Sequence, residues 1–304
     1  MVAHDDFHID GLTAEDQLRG IDSGTFSPSE LVNFAASKKI ETLALTDHDT
    51  TDGLVEAQAA AFEKGINFIP GIELNIQWPT GEFHLLGLGL KRVSPELKDM
   101  IAFLGREREF RNRKMAQKLK ENGINISYEE LAARFGEKTL GRPHFAEYMK
   151  EKGFVKCRQQ AFDNYFAKGR PCFVDREGAD LEMAVDAILS SGGLPVQAHP
   201  LSMYVSWGRM EETLRSVRER GVLGIEAWHP GARVSEAERL RDMAEKLGFF
   251  VTGGSDFHGE KVRADRHIGF SSGGLKISDD CWTKNLEPRL VELHGGNDHS
   301  FCNQ

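Results

Sequence analysis

The chain is poor in cysteine, and its four cysteines, Cys157, Cys172, Cys281 and Cys302, fall into no functional spacing. No two of them form a Cys-x-x-Cys pair, and none begins a Cys-x5-Arg loop. This excludes the usual sequence signatures of zinc ribbons, disulfide scaffolds and cysteine phosphatases. We therefore expect structural or free thiols in a reducing compartment.

The chain also lacks an excess of positive charge and a long apolar N-terminal run. Its net charge of -9 and pI near 5.7 argue against broad binding to long nucleic acids, which requires a basic surface. Nothing at the N-terminus resembles a signal peptide or a membrane span, so we expect a cytoplasmic protein with no membrane partner. With 304 residues, 40% of them hydrophobic, the chain can form one large α/β domain with an insertion.

What the chain does contain is a series of apolar runs with an acidic residue or a histidine at or beside one end. The most informative run, Phe249-Phe250-Val251, leads into a glycine-rich turn that carries Asp256 and His258. The same pattern recurs at His48 after Thr42–Leu45, Glu73 after Phe68–Ile72, His84 before Leu85–Leu88, and His199 after Leu194–Ala198. Strands of an open or barrel-shaped parallel sheet present their catalytic groups at such ends.

Each of these residues also has an ordinary structural interpretation. His199 can cap a strand, His84 can be a half-buried core histidine, and Glu73 can be a surface charge. Together they form a nitrogen and oxygen donor set that is too large for one zinc ion. The set suits two or three divalent ions such as Mn, Fe or Zn, and its members are His48, Glu73, His84, His199, Asp256 and His258.

In this order the motifs resemble those of the polymerase and histidinol phosphatase (PHP) family of metal-dependent phosphoesterases. The resemblance runs from about Asp6 to about Arg266. It is closest to the branch that acts on small phosphorylated molecules, including nucleotides, because the chain contains Gly224-Ile225-Glu226 with His229-Pro230. The resemblance implies a distorted (β/α)7 TIM-like barrel with a metal cluster at the C-terminal ends of the strands.

The first motif departs from the family pattern, which has a second histidine where this chain has Asp10. The resemblance implies that His8, Asp10 and Asp16 are metal ligands, with Asp22 as the alternative to Asp16. A carboxylate can replace an imidazole at similar bond length, but it adds negative charge and favours harder metals. We therefore expect an altered metal preference. Loss of binding at this position is the other outcome, with His4 as a substitute ligand.

A helical insertion is predicted in the middle of the chain. Pro95 to Glu121 is long, amphipathic and uninterrupted by a strand-like run. The predicted boundaries are a barrel domain of residues 1–93 and 176–293, an inserted domain of residues 94–175 over the active-site mouth, and a polar tail of residues 294–304.

The insertion supplies the candidate substrate contacts. Arg142-Pro143-His144 and Lys168-Gly169-Arg170-Pro171 each place a cation beside a turn-forming residue, where it can reach toward an anion. Solvated loop charges are the alternative interpretation. The resemblance favours Arg142, His144 and Arg170 as phosphate or substrate contacts.

These features predict hydrolysis of a phosphate ester of a small molecule, with a nucleoside mono- or bisphosphate or a cyclic phosphodiester as the favoured substrate. Metal ions bridged by Glu73 would supply the hydroxide that attacks phosphorus. His229 would bind substrate or protonate the leaving group, unless a second metal does so or it only caps its strand. One alternative is an amidohydrolase-like metal enzyme, expected to carry a carbamylated lysine at a strand end, where this chain has none. The other is a regulatory relic of the fold, which only Asp10 supports.

Overall fold

The computed structural model describes residues 26–136, 140–259 and 263–295. The chain divides into two compact units, one formed by Met1–Met100 with Ala179–Gln304 and the other by Ile101–Gly178. No helix in the described part of the chain is long and apolar enough to cross a membrane. The predicted ligands His8, Asp10 and Asp16 lie outside the described residues, as do their alternatives Asp22 and His4. Of the predicted tail, residues 294 and 295 are described.

Helices and strands alternate through most of the first unit. Its first half contains α1 (Pro28–Ser37), β1 (Thr42–Leu45), α2 (Leu54–Lys64), β2 (Asn67–Ile76) and β3 (Phe83–Leu88). Helix α3 (Pro95–Glu121) leads into the second unit, which continues with α4 (Tyr128–Phe135), α5 (Arg142–Glu151) and α6 (Arg158–Ala161), followed by a π-helical turn (Phe162–Phe166). The first unit resumes with α7 (Leu181–Ser190), β4 (Leu194–Gln197), α8 (Trp207–Glu219), β5 (Gly224–Trp228), α9 (Val234–Lys246), β6 (Phe250–Gly253) and α10 (Glu287–Leu293).

The six described strands form one sheet in sequential order, β1 to β6. The pairs β1–β2, β4–β5 and β5–β6 are parallel, whereas β3 is antiparallel to both of its neighbours. Strand β3 reverses direction because residues 77–82 return the chain directly from β2, without the helix that a parallel crossover needs. The α/β class is confirmed, and the count of seven strands in a distorted (β/α)7 barrel stays a prediction. The antiparallel β3 departs from the parallel arrangement of a regular (β/α) barrel.

Local sequence signals account for the helix boundaries. Helix α1 begins with Pro28 after a capping box in which Ser27 and Glu30 satisfy each other's backbone amides. Helix α2 ends at Gly65, which adopts a left-handed conformation with φ 66°. The side chain of Asp180 accepts hydrogen bonds from the first amides of α7. The long helix predicted from Pro95 to Glu121 has these bounds in the structure.

Each unit has an apolar core of its own. In the first unit, residues of β2, β3, β4 and β6 pack with the C-terminal helix, and Ile69, Leu88, Val196, Phe250 and Leu290 are members of this cluster. In the second unit, Leu119, Leu131, Phe145, Met149 and Phe166 are members of a separate cluster. The predicted placement of the insertion over the active-site mouth stays a prediction.

The assignment of the core of the second unit can be tested with a buried and an exposed phenylalanine. Phe145 is fully buried, so we expect Phe145→Ala to lower the free energy of unfolding by about 3–5 kcal/mol, through lost burial and the cavity it leaves. Phe154, which is 42% exposed, gives a matched control whose alanine variant should lose less than about 1 kcal/mol. Urea unfolding followed by circular dichroism measures both. Equal losses would show that the core is assigned incorrectly.

Candidate metal centre

A buried carboxylate, that of Glu73, lies at the centre of the site. Glu73 is in the middle of β2 and is only 6% exposed. Its Oε1 atom lies 2.8 Å from Nδ1 of His84 and 3.2 Å from Nε2 of His199, and its Oε2 atom lies 3.5 Å from Nδ1 of His48. One side chain therefore contacts histidines from three separate segments of the chain.

The histidines make a continuous series of ring contacts around this carboxylate. Ring centroids are 6.0 Å apart for His258 and His48, 5.0 Å for His48 and His84, 5.0 Å for His84 and His199, and 5.1 Å for His199 and His229. The series consists of His229 and every histidine within the described residues that the sequence predicted as a metal ligand.

Asp256 joins the two ends of this series. Its Oδ1 atom lies 3.3 Å from Nδ1 of His258, and its Oδ2 atom lies 3.4 Å from Nε2 of His229. The six predicted ligands of the described chain therefore lie together, and His229 lies beside them. Their role as metal ligands stays a prediction.

Sheet topology explains why these residues meet. His48 lies three residues beyond β1, His199 two beyond β4 and Asp256 three beyond β6, while His229 directly follows β5. His84 is instead the second residue of β3. Because β3 runs antiparallel to its neighbours, its beginning lies at the same edge as the ends of the parallel strands.

Asp49 fixes the segment after β1 beside Glu73, a role that sequence reasoning did not assign. Its backbone N–H donates to the Glu73 carbonyl at 2.9 Å, and its Oδ1 atom accepts from the Asn75 amide at 3.1 Å. Asp49 is buried and adopts φ 56°, a conformation that aspartate tolerates better than most residues. The Asp49 side chain therefore fixes the β2 backbone at Asn75, two residues beyond Glu73.

Glu226 contacts two other segments of the site, one at His199 and one at Gly254. Glu226 is 7% exposed, and its Oε2 atom accepts a hydrogen bond from the backbone N–H of His199 at 3.0 Å. This hydrogen bond stabilises the unusual backbone conformation of His199, which has φ 27°. Its Oε1 atom lies so close to Gly254 that a Cβ there would collide with it. The glycine before the Asp256 turn is therefore required by the close approach of a buried carboxylate.

Aromatic stacking holds the turn between Asp256 and His258. The Phe257 ring stacks on Phe34 of α1 with 5.5 Å between centroids and an interplanar angle of 12°, and Phe26 stacks on Phe34 at 5.2 Å. Helix α1 thus supports the turn through contacts between aromatic rings.

The electrostatics of the site favour positive charge. Burial alone would raise the pKa of Glu73, but His48, His84 and His199 hold that pKa well below its usual value. Burial opposes a charged His199, yet its hydrogen bond to Glu73 and the nearby carboxylates raise its pKa to about 9. A cation that binds here would replace a proton.

The donor atoms are spaced closely enough to share a divalent ion. Ligand atoms of His48, Glu73 and His84 all lie within 4.8 Å of one another, and Nδ1 of His84 lies 3.3 Å from Nε2 of His199. Metal–ligand bonds of about 2.0–2.2 Å place neighbouring ligand atoms roughly 3–4 Å apart. Imidazole and carboxylate together suit borderline ions. The residues present therefore fit a divalent cation.

His229 is oriented as a hydrogen-bond donor. The Gly231 N–H donates to its Nδ1 atom at 3.0 Å, so in the neutral ring the proton lies on Nε2. The Ser272 hydroxyl donates to the His229 carbonyl at 2.9 Å and fixes its backbone. A second proton on Nδ1 would break the contact with Gly231. Of the two chemical roles predicted for His229, this arrangement favours binding an oxygen over releasing a full proton.

The predicted substrate contacts of the insertion have different surroundings. Arg142 donates from Nη2 to the Val174 carbonyl at 3.1 Å, and His144 accepts the Gly141 N–H at 3.1 Å at the start of α5. Arg170 is exposed. Arg142 and His144 thus stabilise their own unit, and a role of all three residues in substrate binding stays a prediction.

A serine pattern near the site does not form a nucleophile. Residues 269–273 match Gly-x-Ser-x-Gly, which in serine hydrolases follows a strand and begins a helix. Here Ser271 is 2% exposed and Ser272 is fully buried, and the Ser272 hydroxyl is used by the His229 carbonyl. The pattern therefore contributes to packing around His229.

Comparisons of the chain with a family model and with known proteins agree on one family. The family model described as the PHP domain matches residues 20–166. The chain is 30% identical to a 3',5'-nucleoside bisphosphate phosphatase from Chromobacterium violaceum, over 95% of this chain and 99% of that protein. It is 32% identical to a 5'-3' exoribonuclease from Haemophilus influenzae, over 77% of this chain and 85% of that protein.

Solved structures agree on the fold. A Bifidobacterium adolescentis protein provisionally described as a metal-dependent phosphoesterase is similar with a TM-score of 0.76 and 25% identity, over 89% of this chain and 92% of that one. A Chromobacterium violaceum protein described as an amidohydrolase, solved with sulfate and without metal, gives a TM-score of 0.72 and 30% identity, over 81% of this chain and 93% of that one. With a matching domain model and a relative aligned along nearly its whole length, the chain belongs to the PHP family.

Proposed function

We propose that this protein is a metal-dependent phosphoesterase that hydrolyses a phosphate ester of a small nucleotide. The observation that carries the proposal is the contact of one buried carboxylate, Glu73, with three histidines at the edge of the sheet. Membership of the PHP family and the phosphoesterase names of relatives support the same reaction. The absence of cysteine pairing motifs is consistent with a cytoplasmic enzyme.

The site would hold two to three divalent ions, Mn, Zn or Fe. Bound ions of this kind polarise phosphoryl oxygens and lower the pKa of a water molecule. Glu73 is suited to bridging because Oε1 faces His84 and His199 while Oε2 faces His48. The full proposed ligand set is His8, Asp10, Asp16, His48, Glu73, His84, His199, Asp256 and His258.

His229 acts next to this cluster as a neutral donor. Its Nε2–H is buried and has no hydrogen-bond partner among the described residues, although Asp256 lies 3.4 Å away. A donor held in this way can stabilise a phosphoryl or leaving-group oxygen as negative charge builds on it. Glu73 and His229 are thus the proposed catalytic residues.

The substrate that we favour is a nucleoside bisphosphate. The supporting observation is that the alignment with the bisphosphate phosphatase extends over 99% of that enzyme and so includes the helical unit. We assign Arg142, His144 and Arg170 of this unit to the phosphate that is not hydrolysed, since guanidinium groups bind phosphate with paired hydrogen bonds.

Removal of nucleotides from the 5' end of RNA is a second candidate function. The 32% identity with an exoribonuclease favours it. The net charge of -9 disfavours extended contact with RNA but not capture of one phosphorylated end. Hydrolysis of C–N bonds is disfavoured, although one similar solved structure is described as an amidohydrolase. None of the six described strands contains a lysine that could be carbamylated.

A substrate panel tests these functions. Protein loaded with Mn should release phosphate from a 3',5'-nucleoside bisphosphate faster than from p-nitrophenyl phosphate, a cyclic nucleotide or a short 5'-phosphorylated RNA. Phosphate and mononucleotide release measure the outcomes. Faster mononucleotide release from RNA would establish the second candidate, and no hydrolysis of any ester with any of the three metals would refute the proposal.

Glu73 provides the test of the metal centre. We expect Glu73→Gln to lower metal content and to reduce hydrolysis by at least about a hundredfold, because the neutral amide cannot bridge two cations. Elemental analysis and phosphate release measure the two effects. Glu63→Gln, on the exposed face of α2, is the control and should match the parent protein. Full metal content with retained turnover in Glu73→Gln would mean that the cluster is misplaced.

Arg170 provides the test of substrate recognition. Because it is exposed, its removal should not disturb folding, so we expect Arg170→Ala to raise KM for the bisphosphate by about ten- to a hundredfold. The effect on p-nitrophenyl phosphate should be smaller, since that ester lacks the second phosphate. Lys168→Ala, also exposed, is the matched control. An unchanged KM in Arg170→Ala would return Arg170 to the role of a solvated loop charge.

A further inference from the structure

A buried arginine, Arg266, lies beside the site and has no role in the hydrolysis proposed so far. Arg266 is 6% exposed, and its Nε and Nη1 atoms are buried without a hydrogen-bond partner in the described part of the chain. Its ionic contacts are loose, at 3.5 Å from Nε to Asp265 and 4.0 Å from Nη2 to Asp256. A guanidinium group with purely structural use normally has its donors satisfied.

The neighbouring Arg263 shows what a satisfied arginine looks like in the same segment. Its Nε and Nη2 atoms donate to the two oxygens of Asp265, each at 3.0 Å. This paired contact occupies the Asp265 carboxylate and lowers its pKa to about 2. Asp265 is therefore committed to Arg263, and Arg266 has only a distant share in it.

Arg266 and His229 converge on the same oxygen. Oδ2 of Asp256 lies 3.4 Å from Nε2 of His229 and 4.0 Å from Nη2 of Arg266, while Oδ1 of Asp256 faces His258. Nη2 of Arg266 also lies beside Gly231, where an added Cβ would be 3.7 Å away. The Nη2 atom of Arg266 and the Nε2 atom of His229 thus lie on the same side of Asp256, away from His258. His229 Nε2 and the other two nitrogens of the guanidinium, Nε and Nη1, have no hydrogen-bond partner among the described residues.

We propose that Arg266 is a phosphate-binding residue, which together with the Nε2–H of His229 holds oxygens of the phosphoryl group next to the metal cluster. The chemistry fits a tetrahedral oxyanion, because a guanidinium fork and an imidazole N–H supply several donors from two directions. Burial strengthens such contacts, since no water competes for the donors. The inference rests on the proposed function for its substrate, but the binding of the anion can be measured without turnover.

The test is binding of inorganic phosphate to the Mn-loaded protein by isothermal titration calorimetry. We expect Arg266→Gln to weaken phosphate binding by about ten- to a hundredfold, as for the loss of hydrogen bonds to a charged group. Arg266→Lys should recover only part of this affinity, because an ammonium keeps the charge but loses the fork. Metal content by elemental analysis should equal that of the parent, which a merely structural role beside Asp256 would not predict.

Arg215→Gln is the control, because Arg215 is an exposed arginine of α8 that pairs with Glu211, and it should bind phosphate like the parent. Parent-like affinity in Arg266→Gln, or an equal loss in Arg215→Gln, would overturn the proposal. If Arg266→Gln does not fold, Arg266→Lys decides: at least about fivefold weaker binding supports the proposal, and parent-like affinity overturns it.

The two proposals fail in different ways. A parent protein that binds phosphate through Arg266 but hydrolyses no ester would refute the proposed function and leave the binding role of Arg266 intact. A parent that hydrolyses esters and binds phosphate unchanged by either Arg266 variant would do the reverse. A parent that binds no phosphate at all would overturn the inference on Arg266.

Discussion

The site depends on one constraint: a carboxylate withdrawn from water keeps its charge only if donors or cations surround it. For Glu73 these are three histidines, which come from the segment after β1, the beginning of β3 and the segment after β4. If any of these segments shifted, the buried Glu73 carboxylate would lose a partner that compensates its charge, which costs free energy. Compensation of this one charge therefore ties together the ends of β1, β3 and β4 with the Glu73 side chain of β2, and it brings together donor atoms that fit a divalent ion.

Some of this arrangement is readable from the sequence and some is not. His84 and His199 were predicted because a polar side chain next to a buried apolar run is unusual and points to the end of a strand. The direction of β3 was not, because an apolar run looks the same in a parallel and an antiparallel strand, and only the short return through residues 77–82 decides. Glu226 and Arg266 were missed as site residues for another reason. A buried charge looks like a surface charge until the burial is known.

Several residues around the cluster oppose stability. Asp49, His199 and Asp256 all have positive φ angles, at 56°, 27° and 47°, and each such conformation costs about 1 kcal/mol or more in a non-glycine residue. Several buried polar atoms have no hydrogen bond among the described residues: Nε2 of His229, Nε and Nη1 of Arg266, and Oγ1 of Thr252. Unfavourable local choices that concentrate at one edge of a sheet are typical of a site shaped by function, with the apolar core supplying the compensation.

Strands β3 and β4 are hydrogen-bonded neighbours, although the whole helical unit lies between them in the chain. Pairing them closes a loop of roughly a hundred residues, and the entropy lost in closing a loop grows only with the logarithm of its length. Shortening or lengthening the intervening segment thus changes the cost of bringing His199 to Glu73 very little. In evolution, such a connection permits the helical unit to be replaced as a block while the edge of the sheet that carries Glu73 and His199 is inherited unaltered.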